Sequence, residues 1–197
     1  DGTEVVLTDE NGEYRIRSNK SNGFVFVSIP GNYTVTTSGN RPQFYRNLNS
    51  FADRLEIHDF TLIPVDNSCY TLLIHADQHL AKRTEDIEQL SQFVIPDINR
   101  MIFSEKAKGN KVYSLSLGDI SWDQYWRANS FDIMDAAKSL EAIDCMLFHT
   151  IGNHDNNPYV SDDWESSYIF RQNIAPTYYS FNIGEIHYVV LDNIIYN

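Results

Sequence analysis

The chain has 197 residues, a formal net charge of −12 and a hydrophobic content of 42%. This length suits one moderate domain or two small ones, and the composition is not that of a disordered chain. An acidic surface repels phosphate backbones, so general nucleic-acid binding is not expected. Small phosphate esters stay compatible with it, because bound cations reverse the local field. No apolar run approaches the ~20 residues that span a bilayer, and no signal or transit peptide is visible.

The first 65 residues are predicted to form a small all-β sandwich. Short β-rich runs alternate with turn signals, such as Asp-Glu-Asn-Gly at 9–12, and no helical periodicity interrupts them. The predicted strands are Glu4 to Thr8, Tyr14 to Arg17, Phe24 to Val27, Tyr33 to Thr36 and an interrupted run from Leu55 to Val65.

From residue 66 the pattern changes to alternating strands and helices, which predicts an α/β domain over residues 66–197. One helix is expected after an N-cap at Thr84, with Pro96 kinking or dividing it, and a second over Ser130 to Ile143. The predicted strands are Tyr70 to His75, Val112 to Leu117, Met146 to Ile151, and a hairpin of Tyr178 to Ile183 and Ile186 to Leu191. Two cysteines, Cys69 and Cys145, near predicted strand starts are expected to be buried free thiols, with a disulfide as the alternative.

Three polar clusters follow the three predicted core strands. They are Asp77-Gln78-His79, Gly118-Asp119 with Asp123 beyond it, and Gly152-Asn153-His154-Asp155. The carboxyl ends of parallel strands meet at one edge of a sheet, where ligands bind, so the three loops should converge. Each cluster alone is also typical of an ordinary turn or helix cap. The set, at three successive strand ends, favours a metal site.

The residue types in these loops suit cation binding. Asp77 and His79 are two residues apart and can reach the same side of an extended chain. Gly118 lets the backbone turn sharply, which would deliver Asp119 to the centre, where its two oxygens can bridge two metals. Asn153 offers a neutral oxygen ligand. His154 can stay outside the metal shell and donate a proton.

These motifs resemble the calcineurin-like metallophosphoesterase superfamily. The hairpin sequence after the third motif is similar to the corresponding strand pair of that superfamily. The front of the chain, with Asp9-x-x-Gly12-x-Tyr14 and Gly31-x-Tyr33, resembles the transthyretin-like β-sandwich of its secreted bacterial members. The resemblance implies a partial metallophosphoesterase α/β sandwich preceded by a small all-β domain, and a periplasmic or extracellular location.

The resemblance also implies roles for individual residues. Asp77 and His79 would bind a first metal, Asp119 would bridge two, and Asn153 would bind the second. His154 would protonate the leaving oxygen during phosphate-ester hydrolysis. Asp123 is a candidate to orient His154, although its spacing from Asp119 is one residue longer than in phosphoprotein phosphatases. The mixed ligand set suits two Mn, Fe or Zn ions.

One part of the superfamily pattern is missing. In that pattern a later lone histidine and then a Gly-His-x-His motif supply further ligands. No Gly-His-x-His motif follows residue 155. The later His187 lies inside a predicted strand and is expected to be structural, as are His75 and His149. We therefore expect a truncated, inactive fragment of a longer enzyme, with dimerisation through an exposed sheet. The alternative hypothesis is a non-catalytic binding module on a degenerate scaffold. Trp122, Tyr125 and Trp126 can either shape a substrate pocket or pack the second helix.

Overall fold

The computed structural model describes residues 4–49 and 54–195. In the described part of residues 4–65, short strands pair into three two-stranded antiparallel sheets, β1 with β5, β2 with β6 and β3 with β4. These strands are β1 (Phe24–Phe26), β2 (Tyr33–Val35), β3 (Thr37–Ser38), β4 (Arg41–Pro42), β5 (Tyr45–Asn47) and β6 (Leu62–Pro64). The β character of this region is confirmed, whereas its sandwich architecture stays a prediction.

Two predicted strands of this region are wrong. Residues 4–8 and 14–17 form no strand, and Leu7 is 91% exposed. A strand is stable only when its backbone pairs and one of its faces is buried. Neither segment pairs with a strand in the described part of the chain, and residues 4–8 are also exposed. The run from Leu55 to Val65 is strand only at β6, and Leu55 and Ile57 are exposed.

The second half is built on a three-stranded parallel sheet. Its strands are β7 (Tyr70–His75), β8 (Lys111–Ser116) and β9 (Met146–His149), in the order β7-β8-β9. The register pairs His75 with Ser116 and Ser116 with His149, so the strands end level with one another. The predicted alternation of strands and helices is confirmed, and it brings three loops to the same edge of the sheet.

The first crossover contains two helices separated by a π-helical turn. Helix α1 (Asp86–Gln89) is followed by this turn at Leu90–Val94 and then by α2 (Ile95–Ala107). The predicted cap at Thr84 is wrong, because the helix begins after Glu85 and no side chain caps it. The expected division near Pro96 is confirmed, since proline lacks the N–H that a continuous α-helix needs and the turn accommodates the missing bond.

The second crossover contains α3 (Ile133–Ser139), whose N-terminus is capped by Asp132 in a capping box with Asp135. Two short helices, α4 (Asp163–Ser166) and α5 (Tyr168–Asn173), then lead to the hairpin of β10 (Tyr179–Ile183) and β11 (Ile186–Val190). The predicted hairpin is confirmed, with Ile183 paired to Ile186 across the turn. None of the helices in the described ranges has the length and apolarity to cross a bilayer.

The two halves share one hydrophobic core. Phe148 of β9 stacks on Phe181 of β10 with ring centroids 3.9 Å apart, and Phe44 from the first half lies 6.1 Å from Phe148. Backbone bonds join the halves, because Asn182 N–H donates to Ile29 O (2.9 Å) and Leu147 N–H donates to Asn40 O (2.9 Å). The first half therefore packs directly on the sheet that positions the polar loops.

The cysteines differ from each other. Both are free thiols, but Cys69 is exposed while Cys145 is buried. The expectation that both are buried is wrong for Cys69, which lies just before β7 rather than in it. Burial raises the pKa of Cys145 to about 12, so its thiol stays protonated.

Candidate metal centre

The three polar loops lie side by side at the carboxyl edge of the parallel sheet. Asp77 N–H donates to Gly118 O (3.1 Å) and His79 N–H donates to Asp119 O (2.9 Å), so the first loop pairs with the second. The third loop begins where Thr150 N–H donates to the carbonyl of Ser116 (2.8 Å). Backbone hydrogen bonds thus hold together segments that are far apart in sequence.

Two glycines allow the second and third loops to touch. A Cβ on Gly118 would lie 2.6 Å from Gly152 N, and a Cβ on Gly152 would lie 2.1 Å from Asp119 Oδ1. No other residue fits either position without displacing backbone or the Asp119 carboxylate. Gly118 also has φ +99, a conformation that favours glycine. The turn at Gly118 is predicted from the sequence, whereas the close approach at Gly152 is visible only in the structure.

His79, Asp119 and His154 form the compact group at this edge. Each offers one ligand atom, and these atoms lie within 4.8 Å of one another. His79 Nε2 is 3.4 Å from Asp119 Oδ2, and the two imidazole rings meet edge to face with centroids 5.0 Å apart. The buried Asp119 is held through its other oxygen, because His154 N–H donates to Oδ1 (2.8 Å).

The backbone of this edge is strained at the residues that the sequence singled out. Asp77, His79 and Asp119 have φ values of 58, 48 and 52 degrees, in the left-handed region that non-glycine residues rarely adopt. Such strain costs of order 1–3 kcal/mol per residue and persists where the surrounding structure imposes it, often at functional sites.

His154 is oriented by a carboxylate. Its Nδ1 lies 2.8 Å from Asp123 Oδ1, and Asp123 is buried at the start of the 3₁₀ turn Asp123–Tyr125. This contact leaves Nε2 as the ring nitrogen that can transfer a proton. The extra residue between Asp119 and Asp123 therefore does not prevent the carboxylate from reaching the histidine.

Asp155 fastens the second loop to the third, a role that sequence reasoning missed. Its carboxylate accepts from Ser121 N–H (2.9 Å) and Gly152 N–H (3.0 Å), and Ser121 Oγ donates to the carbonyl of His154 (2.9 Å). Burial raises the pKa of Asp155 to about 7, against the lowering effect of these hydrogen bonds. The signal available in the sequence was an acid directly after His154.

Asp77 and Asn153 lie at the rim of the centre. Both side chains are exposed, and Asp77 is not part of the compact group of His79, Asp119 and His154. Asn153 is the first residue of a 3₁₀ turn, Asn153–Asp155, directly before His154. Their assignment as metal ligands stays a prediction.

The aromatic group after Asp119 divides into two parts. Trp126 is buried and donates from Nε1 to Ser121 Oγ (3.2 Å), so it packs the fold. Trp122 is half-buried beside the centre, with its ring centroid 5.1 Å from that of His79 and 5.9 Å from that of His154. Tyr125 packs edge to face on Trp122 at 5.3 Å. One tryptophan is structural, and the other forms a wall of the centre.

The other histidines lie away from the compact group. His75 Nε2 is 3.0 Å from Ser114 Oγ, and burial lowers the pKa of this ring. His149 is fully buried, and within the described part of the chain neither of its ring nitrogens has a hydrogen-bond partner. His187 is exposed on β11 beside Asn182, and His58 lies 3.1 Å from Glu56. The first two stay structural, as expected from their strands.

The donor set fits a metal ion. Protein nitrogen and oxygen ligands lie about 2.1 Å from a transition metal, so neighbouring ligands of one ion are separated by roughly 3 Å. The 3.4 Å between His79 Nε2 and Asp119 Oδ2 matches that requirement. Imidazole with carboxylate suits Zn, Mn or Fe.

Comparison with known proteins adds a finding from a part of the chain outside the metal centre. Residues 1–65 match the model of a family described as MetallophosN, the N terminal of calcineurin-like phosphoesterase. Comparisons with curated proteins and with solved structures give no significant match. The family match thus supports the calcineurin-like phosphoesterase superfamily, and with it phosphoester hydrolysis and metal binding at the level of that superfamily.

Proposed function

We propose that the chain carries most of the catalytic centre of a dinuclear metal-dependent phosphoesterase. Asp77, His79, Asp119 and Asn153 are the metal ligands of this proposal, and His154 is its general acid. The grouping of His79, Asp119 and His154 within 4.8 Å at the carboxyl edge of the parallel sheet is the observation that carries it. The family match to the first 65 residues supports the same function from separate residues.

Different observations support the central ligand and the two outer ligands of the proposed set. Asp119 is the central ligand, because one carboxylate oxygen faces His79 while the other is held by the amide of His154. Asp77 and Asn153 lie on the two outer loops, on either side of Asp119 in the loop order. When bound, the metal ions supply Lewis acidity toward phosphoryl oxygens and make water more acidic.

The chain's own residues account for the proton transfer. Asp123 holds His154 Nδ1, which fixes the orientation of the ring and leaves Nε2 facing outward from this contact. His154 Nε2 then gives its proton to the leaving alkoxide oxygen as the P–O bond breaks, a step typically worth ~10²–10⁴-fold. The strained loop backbone and the two facing glycines keep these groups in place.

The decisive substitution is Asp119→Asn, which keeps the shape of the side chain and removes its charge. Mn²⁺ binding followed by electron paramagnetic resonance should weaken at least about tenfold, because the central carboxylate loses its charge. Asp97→Asn is the matched control, because Asp97 is an exposed aspartate on α2 whose recorded partner is Arg100. Equal Mn²⁺ affinity in Asp119→Asn and Asp97→Asn would refute the proposed role of Asp119.

Two further parts of the proposal concern the whole chain. Residues 1–65 are proposed to be a module of transthyretin-like type, and residues 66–197 to be part of the phosphoesterase domain. A periplasmic or extracellular location belongs to the same proposal. If the two modules are separate folding units, limited proteolysis should cut near residue 65. The hydrophobic core that they share around Phe44 and Phe148 should slow this cleavage.

A further inference from the structure

One cation is tied to the candidate metal centre through an aromatic ring. The guanidinium of Arg83 lies over Trp122, with Cζ 4.4 Å from the ring centroid, and 5.7 Å from that of Tyr125. Arg83 Nη2 also approaches the carbonyl of His79 at 3.4 Å. Trp122 in turn contacts the imidazoles of His79 and His154. A single indole ring therefore links the charge of Arg83 to the proposed catalytic groups.

The neighbouring carboxylate of Asp86 does not occupy all the N–H donors of Arg83. Asp86 Oδ2 is 3.7 Å from Arg83 Nε, but Asp86 already accepts from Ala81 N–H and from Ile87 N–H, both at 2.9 Å. A guanidinium has five N–H donors, more than these contacts require. The side chain is 38% exposed, so a ligand can reach it from solvent.

Arg83 and the adjacent Lys82 place positive charge beside acidic loops. The chain has a formal net charge of −12, and the neighbouring loops contribute Asp77, Asp119 and Asp123. A cation held at this position favours an anionic ligand and positions it, because arginine binds phosphate and carboxylate oxygens through two parallel hydrogen bonds. Stacking on Trp122 restricts the side chain before the ligand arrives, which reduces the entropy lost on binding.

We propose that Arg83, held against Trp122 and Tyr125, binds a second anionic group of the substrate, next to the phosphate that is hydrolysed. The preferred substrates are then phosphate esters or anhydrides that carry a further phosphate or carboxylate one group away from the reacting phosphorus. This inference rests on the proposed function. It assigns Arg83 to substrate selection and leaves metal binding to His79 and Asp119.

The test compares two probes, pyrophosphate and inorganic phosphate, on the Mn²⁺-loaded chain by isothermal titration calorimetry. The wild-type chain should bind pyrophosphate more tightly than phosphate. Arg83→Gln should lower the pyrophosphate affinity about tenfold, leave the phosphate affinity within about twofold and leave Mn²⁺ binding unchanged. Arg83→Lys should recover part of the loss, because the charge remains while the planar fork is absent.

Arg100→Gln is the control for charge, since Arg100 is an exposed arginine on α2 paired with Asp97. It should change neither affinity. Equal losses for both probes in Arg83→Gln, no loss at all, or a loss of Mn²⁺ binding would overturn the inference and leave Arg83 as a clamp between two loops. A wild-type chain that binds no Mn²⁺ through Asp119 would overturn the proposed function itself, and the inference would fall with it.

Discussion

The first and second halves of this chain differ in how their structure is held. The described part of residues 4–65 contains strands of two or three residues, whereas β7 and β8 have six each. Exposed large apolar side chains occur in both regions, such as Leu7 and Leu55 in the first and Phe93 and Phe103 in the second, but residues 66–195 bury most of the core. The family match covers residues 1–65, about a third of the chain, and the candidate metal centre lies in residues 66–195.

The residues that match the family model and the longer strands of the structure therefore lie in different parts of the chain. Within residues 1–65, Gly31 meets a specific steric requirement. A Cβ on Gly31 would lie 2.0 Å from Gly184 O, at the point where the first half contacts the β10–β11 hairpin. Residues 66–195 contain the longer strands, of which β8 and β9 are mostly buried, and the loops of the candidate metal centre. The two halves therefore give separate support to one function.

The largest expected effect on stability comes from a substitution in the loops at the carboxyl edge of the parallel sheet. Gly118→Ala should destabilise the protein by roughly 4 kcal/mol and abolish Mn²⁺ binding, because the new Cβ meets backbone of Gly152 at 2.6 Å and the residue has φ +99. Chemical denaturation and Mn²⁺ titration measure the two quantities.

Gly109→Ala is its matched control. Gly109 has φ +90, but a Cβ there would meet nothing within 4 Å, so only conformational strain of about 1 kcal/mol is added. Mn²⁺ binding should be retained. If the two variants were equally destabilised, the close approach of the second and third loops would have no energetic importance.

A smaller effect tests the comparison of the two halves directly. Leu147 in β9 is 0% exposed, so Leu147→Ala should cost about 3 kcal/mol through lost burial and the cavity left behind. Leu7→Ala in the first half should change the free energy of unfolding by less than about 0.5 kcal/mol, because Leu7 is largely exposed. Urea denaturation of both variants checks the contrast, and a comparable loss in Leu7→Ala would break it.

The same contrast explains which elements the sequence could predict. The run Val112 to Leu117 corresponds to a strand that is buried along most of its length, and this strand was confirmed within a residue or two. The run from Glu4 to Thr8 has a β-rich composition too, yet it pairs with no strand in the described part of the chain and its residues are exposed. Strand propensity reports a fit to a half-buried surface, and the sequence does not show whether that surface exists.

The candidate site was predictable to a similar extent. Polar residues at three successive strand ends were sufficient to place His79, Asp119 and His154 together, because topology alone brings those loops to one edge. The contacts of Asp155 with Ser121 and Gly152, and of Arg83 with Trp122, depend on side-chain directions within irregular loops. No sequence period encodes such directions, so these residues became visible only in the structure.

The smallest predicted effect concerns a buried histidine of the second half and depends on pH. Burial is the main cause that lowers the pKa of His149 to about 3 in the folded chain, with positive charge on His75 and Arg41 adding to it. An unfolded chain has a histidine pKa of about 6.5, so between these values the unfolded state binds the extra proton. The stability of the folded state should therefore fall as the pH drops below about 6.5.

This one group should contribute a loss of about 2 kcal/mol between pH 7 and pH 5, measured as the change in the free energy of unfolding in urea. His149→Leu and His149→Gln both remove the titration, so each should flatten the pH dependence by that amount relative to the wild-type chain. The pair separates charge from packing, because leucine removes polarity from the core while glutamine keeps it. If only the leucine variant changed the pH dependence, the effect would come from repacking around β9 rather than from proton uptake by His149.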